Sequence, residues 1–275
     1  MVRITSFGYE NVQYWRLSVY RLGRNVQTVY AYWMDGILID TGQRHNGGNI
    51  FHALEEKPLD KILLTHHHED HSGNVAYLMK KRQVSAYIHR LGYEKLKKGL
   101  NLSPLALMLS GGVKKVELEV LEEQPFFSRN LQIFPIYSPG HSDDHYCYHI
   151  PEKGYLFSGD LYVADKIKYF ADFEDLGTQI KSLERLVKLD FDTLFCAHNP
   201  KVKQGKERLT AKLNNFRHFY GAVEKLYHKG YSTSAIMKEL QIVESSFYKY
   251  VTFGNFCAEN MVKSVVKDLK LNPRV

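Results

Sequence analysis

Lys61-Ile62-Leu63-Leu64-Thr65-His66-His67-His68-Glu69-Asp70-His71 carries a short apolar strand straight into a run of histidines and carboxylates. Packing gives no account of that density, because each buried polar group would need its own partner. A metal ion supplies one. His66 and His68 are two residues apart, so an extended or turning backbone aims both at one ion, while Asp70 and His71 face a second. His67 and Glu69 fall between them as spacers or supports. The preceding strand puts the cluster at a strand's C-terminal end, where α/β sheets carry their chemistry.

On the N-terminal side, residues 28–41 read as two β-rich runs joined by Asp35-Gly36, a hairpin signal, and end at Asp40-Thr41-Gly42. On the C-terminal side, helical character at 74–81 is followed by a strand at 84–89 and a helix at 93–98. Residues 101–114, with Pro104, Met108 and Gly111-Gly112, break the pattern and read as a mobile or substrate-facing insertion. Strands at 116–121, 131–137, 145–150 and 155–157 precede a helix at 176–188, and a last strand at 193–196 delivers His198. This alternation predicts an α/β fold with helices outside and sheets inside. From Gly205 the character turns helical, so the expected division is 1–200 and a C-terminal extension, 201–275.

The charge is divided the same way. Of 37 Lys and Arg and 30 Asp and Glu, residues 201–275 hold 14 and 6. The whole surplus of +7 is therefore C-terminal, where it could attract nucleic acid, anionic lipid or a charged substrate, or coat a solvated helix surface. Cys147, Cys196 and Cys257 form no CxxC pair and are odd in number, which predicts buried thiols and no disulfide framework. No apolar run reaches membrane-spanning length and the first residues lack a signal-peptide pattern, so the expected location is cytoplasmic.

With the cluster written His66-x-His68-x-Asp70-His71, the chain resembles the metallo-β-lactamase superfamily, and further motifs follow in that family's order: Asp40 in Asp40-Thr41-Gly42, His141 in Pro139-Gly140-His141-Ser142, Asp160 after Phe157-Ser158-Gly159, and His198 at a strand end. The resemblance implies an αββα sandwich. It also implies one metal held by His66, His68 and His141, a second held by Asp70, His71 and His198, and Asp160 bridging them, with Asp70 and Asp160 counted among the catalytic residues. Two divalent ions, zinc in first place and iron or manganese compatible, would lie roughly 3.5–4 Å apart and make hydroxide available at neutral pH. Asp40 would support a histidine ligand. Arg44, His45 and His145 are candidates for substrate contact, each weighed against an ordinary structural role. Two departures stand out. The last histidine sits in Cys196-Ala197-His198-Asn199-Pro200 where the family has Gly-His-Gly, and His68 stands where flavodiiron-type redox members carry Glu.

The extension also resembles that of glyoxalase II-like and lactamase-like-2-type members, through Gly230-Tyr231-Ser232-Thr233 and a short helix at 235–240. The expected function is metal-dependent hydrolysis of a small ester, thioester or lactone. A phosphodiesterase or ribonuclease acting on single-stranded RNA is the alternative, disfavoured because 201–275 is short for a nucleic-acid module. A metal-bound redox or sensing protein is a third class. A small-molecule substrate is expected, and a homodimer is one compatible assembly.

Overall fold

The computed structural model describes residues 1–272. The first sheet opens with an antiparallel meander, β1 (Val2–Tyr9), β2 (Val12–Arg21) and β3 (Arg24–Met34), and turns through Asp35-Gly36 into β4 (Ile37–Ile39). Beyond β4 the pairing is parallel, through β5 (Lys61–Leu63), β6 (Ser85–Ile88) and β7 (Glu119–Val120). Parallel neighbours need crossovers. These are supplied by α1 (Gly47–Ala53), then α2 (Glu69–Ser72) with α3 (Val75–Arg82), then α4 (Arg90–Lys98) and α5 (Pro104–Ser110).

The second sheet contains β8 (Phe126–Phe127), β9 (Gln132–Tyr137), β10 (Tyr146–Ile150), β11 (Tyr155–Gly159) and β13 (Thr193–Cys196), in the order β13-β11-β10-β9-β8. A small ribbon pairs β12 (Phe170–Ala171) with β14 (Phe256–Cys257). The remaining helices are α6 (Leu176–Leu186), α7 (Gly205–His228), α8 (Thr233–Glu239), α9 (Ser246–Val251) and α10 (Ala258–Leu271).

The two-residue period of the strands assigns each side chain to a layer. Ile37 and Ile39 point between the sheets to meet Tyr146, Tyr148, Phe157 and Phe195, whereas Leu38 and Ile62 point outward to the layer of α1, α3 and α4. On the far side Cys147, Leu156, Leu194 and Cys196 meet α6, α7, α8 and α10 through Leu183, Leu213, Phe216, Ile236, Val262 and Val265. The result is the αββα sandwich. The chain beyond residue 200 forms much of its fourth layer and shares one core with the second sheet. The three thiols are free and buried.

Two buried tyrosines tie the sheets together at the end where the histidines lie. The Tyr148 hydroxyl donates to the Leu64 carbonyl at 2.6 Å and that of Tyr32 to the Cys196 carbonyl at 2.5 Å. Each fixes the backbone one or two residues before an element of the histidine cluster. Because β4 and β5 are parallel, as are β11 and β13, the ends carrying Asp40, Thr65, Asp160 and His198 emerge on one rim.

Three segments differ from the sequence expectation. Residues 101–114, expected to break the pattern, contain a short helix at their centre: Ser103 accepts from the Ala106 amide to start α5, Gly111 at φ +81° ends it, and Arg21 Nη2 holds the Met108 carbonyl at 2.7 Å. The strand expected at 116–121 is confined to β7, and α9 lies in a stretch with no strong helical period. No helix among the described residues is long and apolar enough to cross a membrane.

Tyr148→Phe removes the hydroxyl that donates to the buried Leu64 carbonyl and should cost about 1–3 kcal/mol. Phe157→Ala, which empties a ring stacked on Phe195 at 4.8 Å, should cost about 3–5 kcal/mol. Urea unfolding followed by circular dichroism measures both.

Candidate metal centre

Local backbone demands fix the rim before any ion is considered. Asp40 takes a positive φ of 58°, an uncommon conformation that Asp tolerates better than most residues. Its backbone amide donates to Leu63, and its carboxylate accepts from the Thr65 amide at 2.8 Å and from the Thr65 hydroxyl at 2.9 Å. Ser72 Oγ reaches back to the His67 and His68 carbonyls at 2.8 and 2.9 Å, folding the histidine run into the one-turn α2. Gly73 is required where three backbone segments meet: a Cβ there would lie 2.6 Å from the Arg44 nitrogen and the Glu69 oxygen.

The side chains so placed form two connected groups. His66 Nε2 lies 2.8 Å from His68 Nδ1, and His141 Nε2 lies 3.2 Å from that same atom. Across from them His198 Nε2 and His71 Nε2 each lie 3.7 Å from an Asp70 oxygen. Asp160 stands between the groups, with Oδ2 3.4 Å from His141 Nε2 and Oδ1 3.2 and 3.5 Å from His198 and His71 Nε2. Thus all seven residues proposed as ligands come together. The triads His66, His68, His141 and Asp70, His71, His198 each bring their ligating atoms within 4.8 Å, and His66 and His71 form a third such group with Asp160.

The electrostatics divide along the same line. Burial and the neighbouring imidazoles hold His66 and His68 well below the usual histidine range, so both stay neutral with lone pairs free. Burial also opposes charge on His71, yet Asp160, Asp40 and Asp70 outweigh it and raise that histidine well above its ordinary value. His198 is pushed up to about 9, burial being overcome by Asp160 and then Asp70. The carboxylate-rich half therefore attracts positive charge; in the imidazole-rich half His66 and His68 offer neutral donors, whereas His141 is raised above its ordinary value, burial being overcome by Glu174 and then Asp160.

In His71, His141 and His198 the other nitrogen is fixed by a partner. His71 Nδ1 donates to Asp40 at 2.8 Å, His141 Nδ1 to Glu174 at 2.9 Å and His198 Nδ1 to the Thr28 carbonyl at 2.5 Å. Asp40 was expected in this role. Glu174, just after the small ribbon, was not legible in the sequence, since nothing in its spacing links it to His141. Gln27 was missed likewise: its Nε2 donates to Asp70 at 3.3 Å, and its Oε1 accepts from Ser110 at the end of α5.

Of the three candidates for substrate contact, one is buried and two are exposed. His145 is fully buried: its Nδ1 lies 3.0 Å from Ser138 Oγ, and its Nε2 accepts from the Asp160 amide at 3.2 Å, so it positions Asp160 from behind. Burial pushes its pKa down to about 3, consistent with a neutral acceptor. Gly159 is required there, because a Cβ would come 2.6 Å from His145 Nε2. Arg44 and His45 are exposed and bond to the Gly111 and Met108 carbonyls at 3.4 and 3.2 Å, which anchors α5.

A cavity of about 320 Å³ opens beside His68, bounded by His67, Lys95, Ser142, Asp143 and Phe173. It suits a small ligand. A larger hollow of about 490 Å³ near Phe191 and Lys206 lies at the start of β13, the end opposite His198, and no candidate ligand set among the described residues lines it.

The donor set fits divalent cations. His71 Nε2 and Asp160 Oδ1 are buried polar atoms without a hydrogen-bond partner among the described residues, which is costly unless something positive lies between them. Imidazole and carboxylate donors suit zinc, iron or manganese.

The comparisons agree with this geometry. Residues 24–198 match the family model of the metallo-beta-lactamase superfamily. The lactamase-like protein adaB of Aspergillus niger is 28% identical over 197 residues, 69% of this chain and 55% of its own length. The beta-lactamase-like protein 2 homolog of Drosophila melanogaster is 27% identical over 193 residues, 65% of this chain and 60% of its own. An atrochrysone carboxyl ACP thioesterase of Claviceps purpurea is 28% identical over 159 residues, 58% and 44%. The chain thus spans between 44% and 60% of the length of these curated relatives. In structure, a metallo-beta-lactamase family protein of Thermus thermophilus superposes with a TM-score of 0.66 at 17% identity, covering 96% of this chain and 94% of that one. A metallo-beta-lactamase of Pontibacter korlensis gives 0.60 at 18%, covering 79% and 99%. With its αββα layers, its rim of histidines and carboxylates and a family match over more than half its length, this chain belongs to the metallo-beta-lactamase superfamily.

Proposed function

We propose that this chain is a metal-dependent hydrolase that holds two divalent cations and cleaves a small ester, thioester or lactone. The observation that carries the reading is the placement of Asp160, whose two oxygens face two different imidazole groups, His141 on one side and His71 with His198 on the other. In this reading His66, His68 and His141 would hold one cation and Asp70, His71 and His198 the other, with Asp160 a carboxylate available to either. Two such ions would supply Lewis acidity toward a carbonyl oxygen and would acidify water at neutral pH.

The chain's own residues set the conditions for that chemistry. Asp40 and Glu174 accept from the Nδ1–H of His71 and His141, which turns each Nε2 lone pair into the site. His145 and Gly159 hold the Asp160 amide in place from behind. The substrate's acyl part would lie in the cavity beside His68, against the apolar ring of Phe173 and opposite Lys95, Ser142 and Asp143. A thioesterase among the relatives supports the acyl-transfer class. Residues 1–200 would then be the catalytic part and 201–275 the helical support behind it.

Elemental analysis of the purified chain, run with a panel of thioesters, lactones, phosphodiesters and single-stranded RNA, tests the reading. Near two metals per chain with turnover of an acyl substrate is the expected result; turnover confined to phosphodiesters or RNA would replace the substrate class, and no turnover by the fully loaded protein would end the hydrolase reading. Asp160→Ala should lose bound metal and activity together. Glu174→Gln, which keeps the shape and removes the charge behind His141, should weaken metal affinity or activity about 10–100-fold, read by chelator competition as well as by rate.

A further inference from the structure

The segment between α8 and α10 exposes far more apolar surface than its fold requires. Phe247 is 69% exposed, Tyr250 82%, Phe253 91% and Val243 83%, all within eleven residues. Phe253 also adopts φ +52°, a costly conformation for a bulky residue, while its ring projects into solvent. These residues extend an aromatic cluster: the ring of Tyr248 lies 5.6 Å from Phe247 and 5.2 Å from Tyr169, and that of Phe256 5.9 Å from Tyr169. The face reaches the metal centre. Phe256 pairs with Ala171 in the small ribbon, the Asp172 amide donates to Asn255, and the next residue, Phe173, sets its 60%-exposed ring 5.4 Å from His68.

Charge selects the occupant. Lys166 and Lys168, just before Tyr169, are exposed and have no ion-pair partner among the described residues. The nearby acids are mostly engaged: Glu259 pairs with Lys249 and Lys263, and Glu244 accepts from the Ser245, Ala258 and Glu259 amides. Asp172 remains exposed, at the edge toward the metal centre. Every cation from 229 to 272 is a lysine, without the arginines that recognise phosphates and bases of nucleic acids. Protruding Phe and Val with Tyr and Lys around them match the interfacial zone of a bilayer.

We propose that residues 243–256, with Tyr169, Lys166 and Lys168, form a docking face for an anionic lipid surface, which turns the Phe173 side of the metal centre toward the lipid. Docking stands apart from the hydrolase reading, because binding is measured without turnover. Co-sedimentation of the full metal-loaded chain with vesicles of phosphatidylcholine, alone or mixed with phosphatidylglycerol, is the test. Binding should require the anionic lipid and weaken with salt. It should fall about tenfold or more in Phe247→Ser/Phe253→Ser and about tenfold in Lys166→Glu/Lys168→Glu; all four positions are exposed, and thermal melting confirms that the variants fold. Equal binding to both vesicles, none to either, or undiminished binding by the variants overturns the proposal. So does a solution dimer that the double serine variant dissociates, or capture of single-stranded RNA without capture of lipid.

Discussion

A carboxylate buried between two sheets is costly unless compensating charge surrounds it, and Asp160 is that carboxylate here. Desolvation alone would drive it toward protonation, yet His198 and His71 hold it well below the usual carboxylate range. The surrounding structure accommodates this demand. The parallel pairing of β11 with β13 brings His198 beside it, the histidine run supplies His71, and the Gly159 turn lets His145 take hold of its amide. In turn His71 needs Asp40, and Asp40 needs the Thr65 amide and hydroxyl. A chain of buried polar contacts thus runs from the second sheet into the first, and at its centre His71 Nε2 and Asp160 Oδ1 face each other with no hydrogen-bond partner among the described residues.

What could be read from the sequence follows from how local each signal is. The histidine run, Asp40-Thr41-Gly42, Pro139-Gly140-His141, Gly159-Asp160 and His198 all sit at strand ends, and a strand end is marked by a few adjacent residues. Supports from distant segments leave no such mark. Glu174 lies 33 residues from His141, and Gln27 lies 43 residues from Asp70. Their contacts arise only when the layers assemble. The aromatic excess was visible as composition, but its two fates were not: Tyr32 and Tyr148 became buried hydroxyl ties, whereas Phe247, Tyr250 and Phe253 faced outward.

The segment at 101–114 shows the same limit from the other side. Its Pro104 and paired glycines suggested irregularity, and those residues do bound an element. Pro at the first position and Gly at the end are what a short helix uses. Its contacts with Arg21, Arg44 and His45 place Ser110 within reach of Gln27 and so of Asp70. Arg44 and His45 thereby hold the backbone at the end of α5.

One buried charge ties the last helices to this rim. Lys212, in α7, is 2% exposed and donates to the Leu161 carbonyl, one residue past Asp160, with its ammonium 4.9 Å from the ring of Phe216. Around it Leu209, Leu213 and Phe216 pack with Val262 and Val265 of α10 against the outer face of β11 and β13. The strands that carry Asp160 and His198 both precede these helices in the chain, so the layer behind the rim is complete only once α7 and α10 have packed against it.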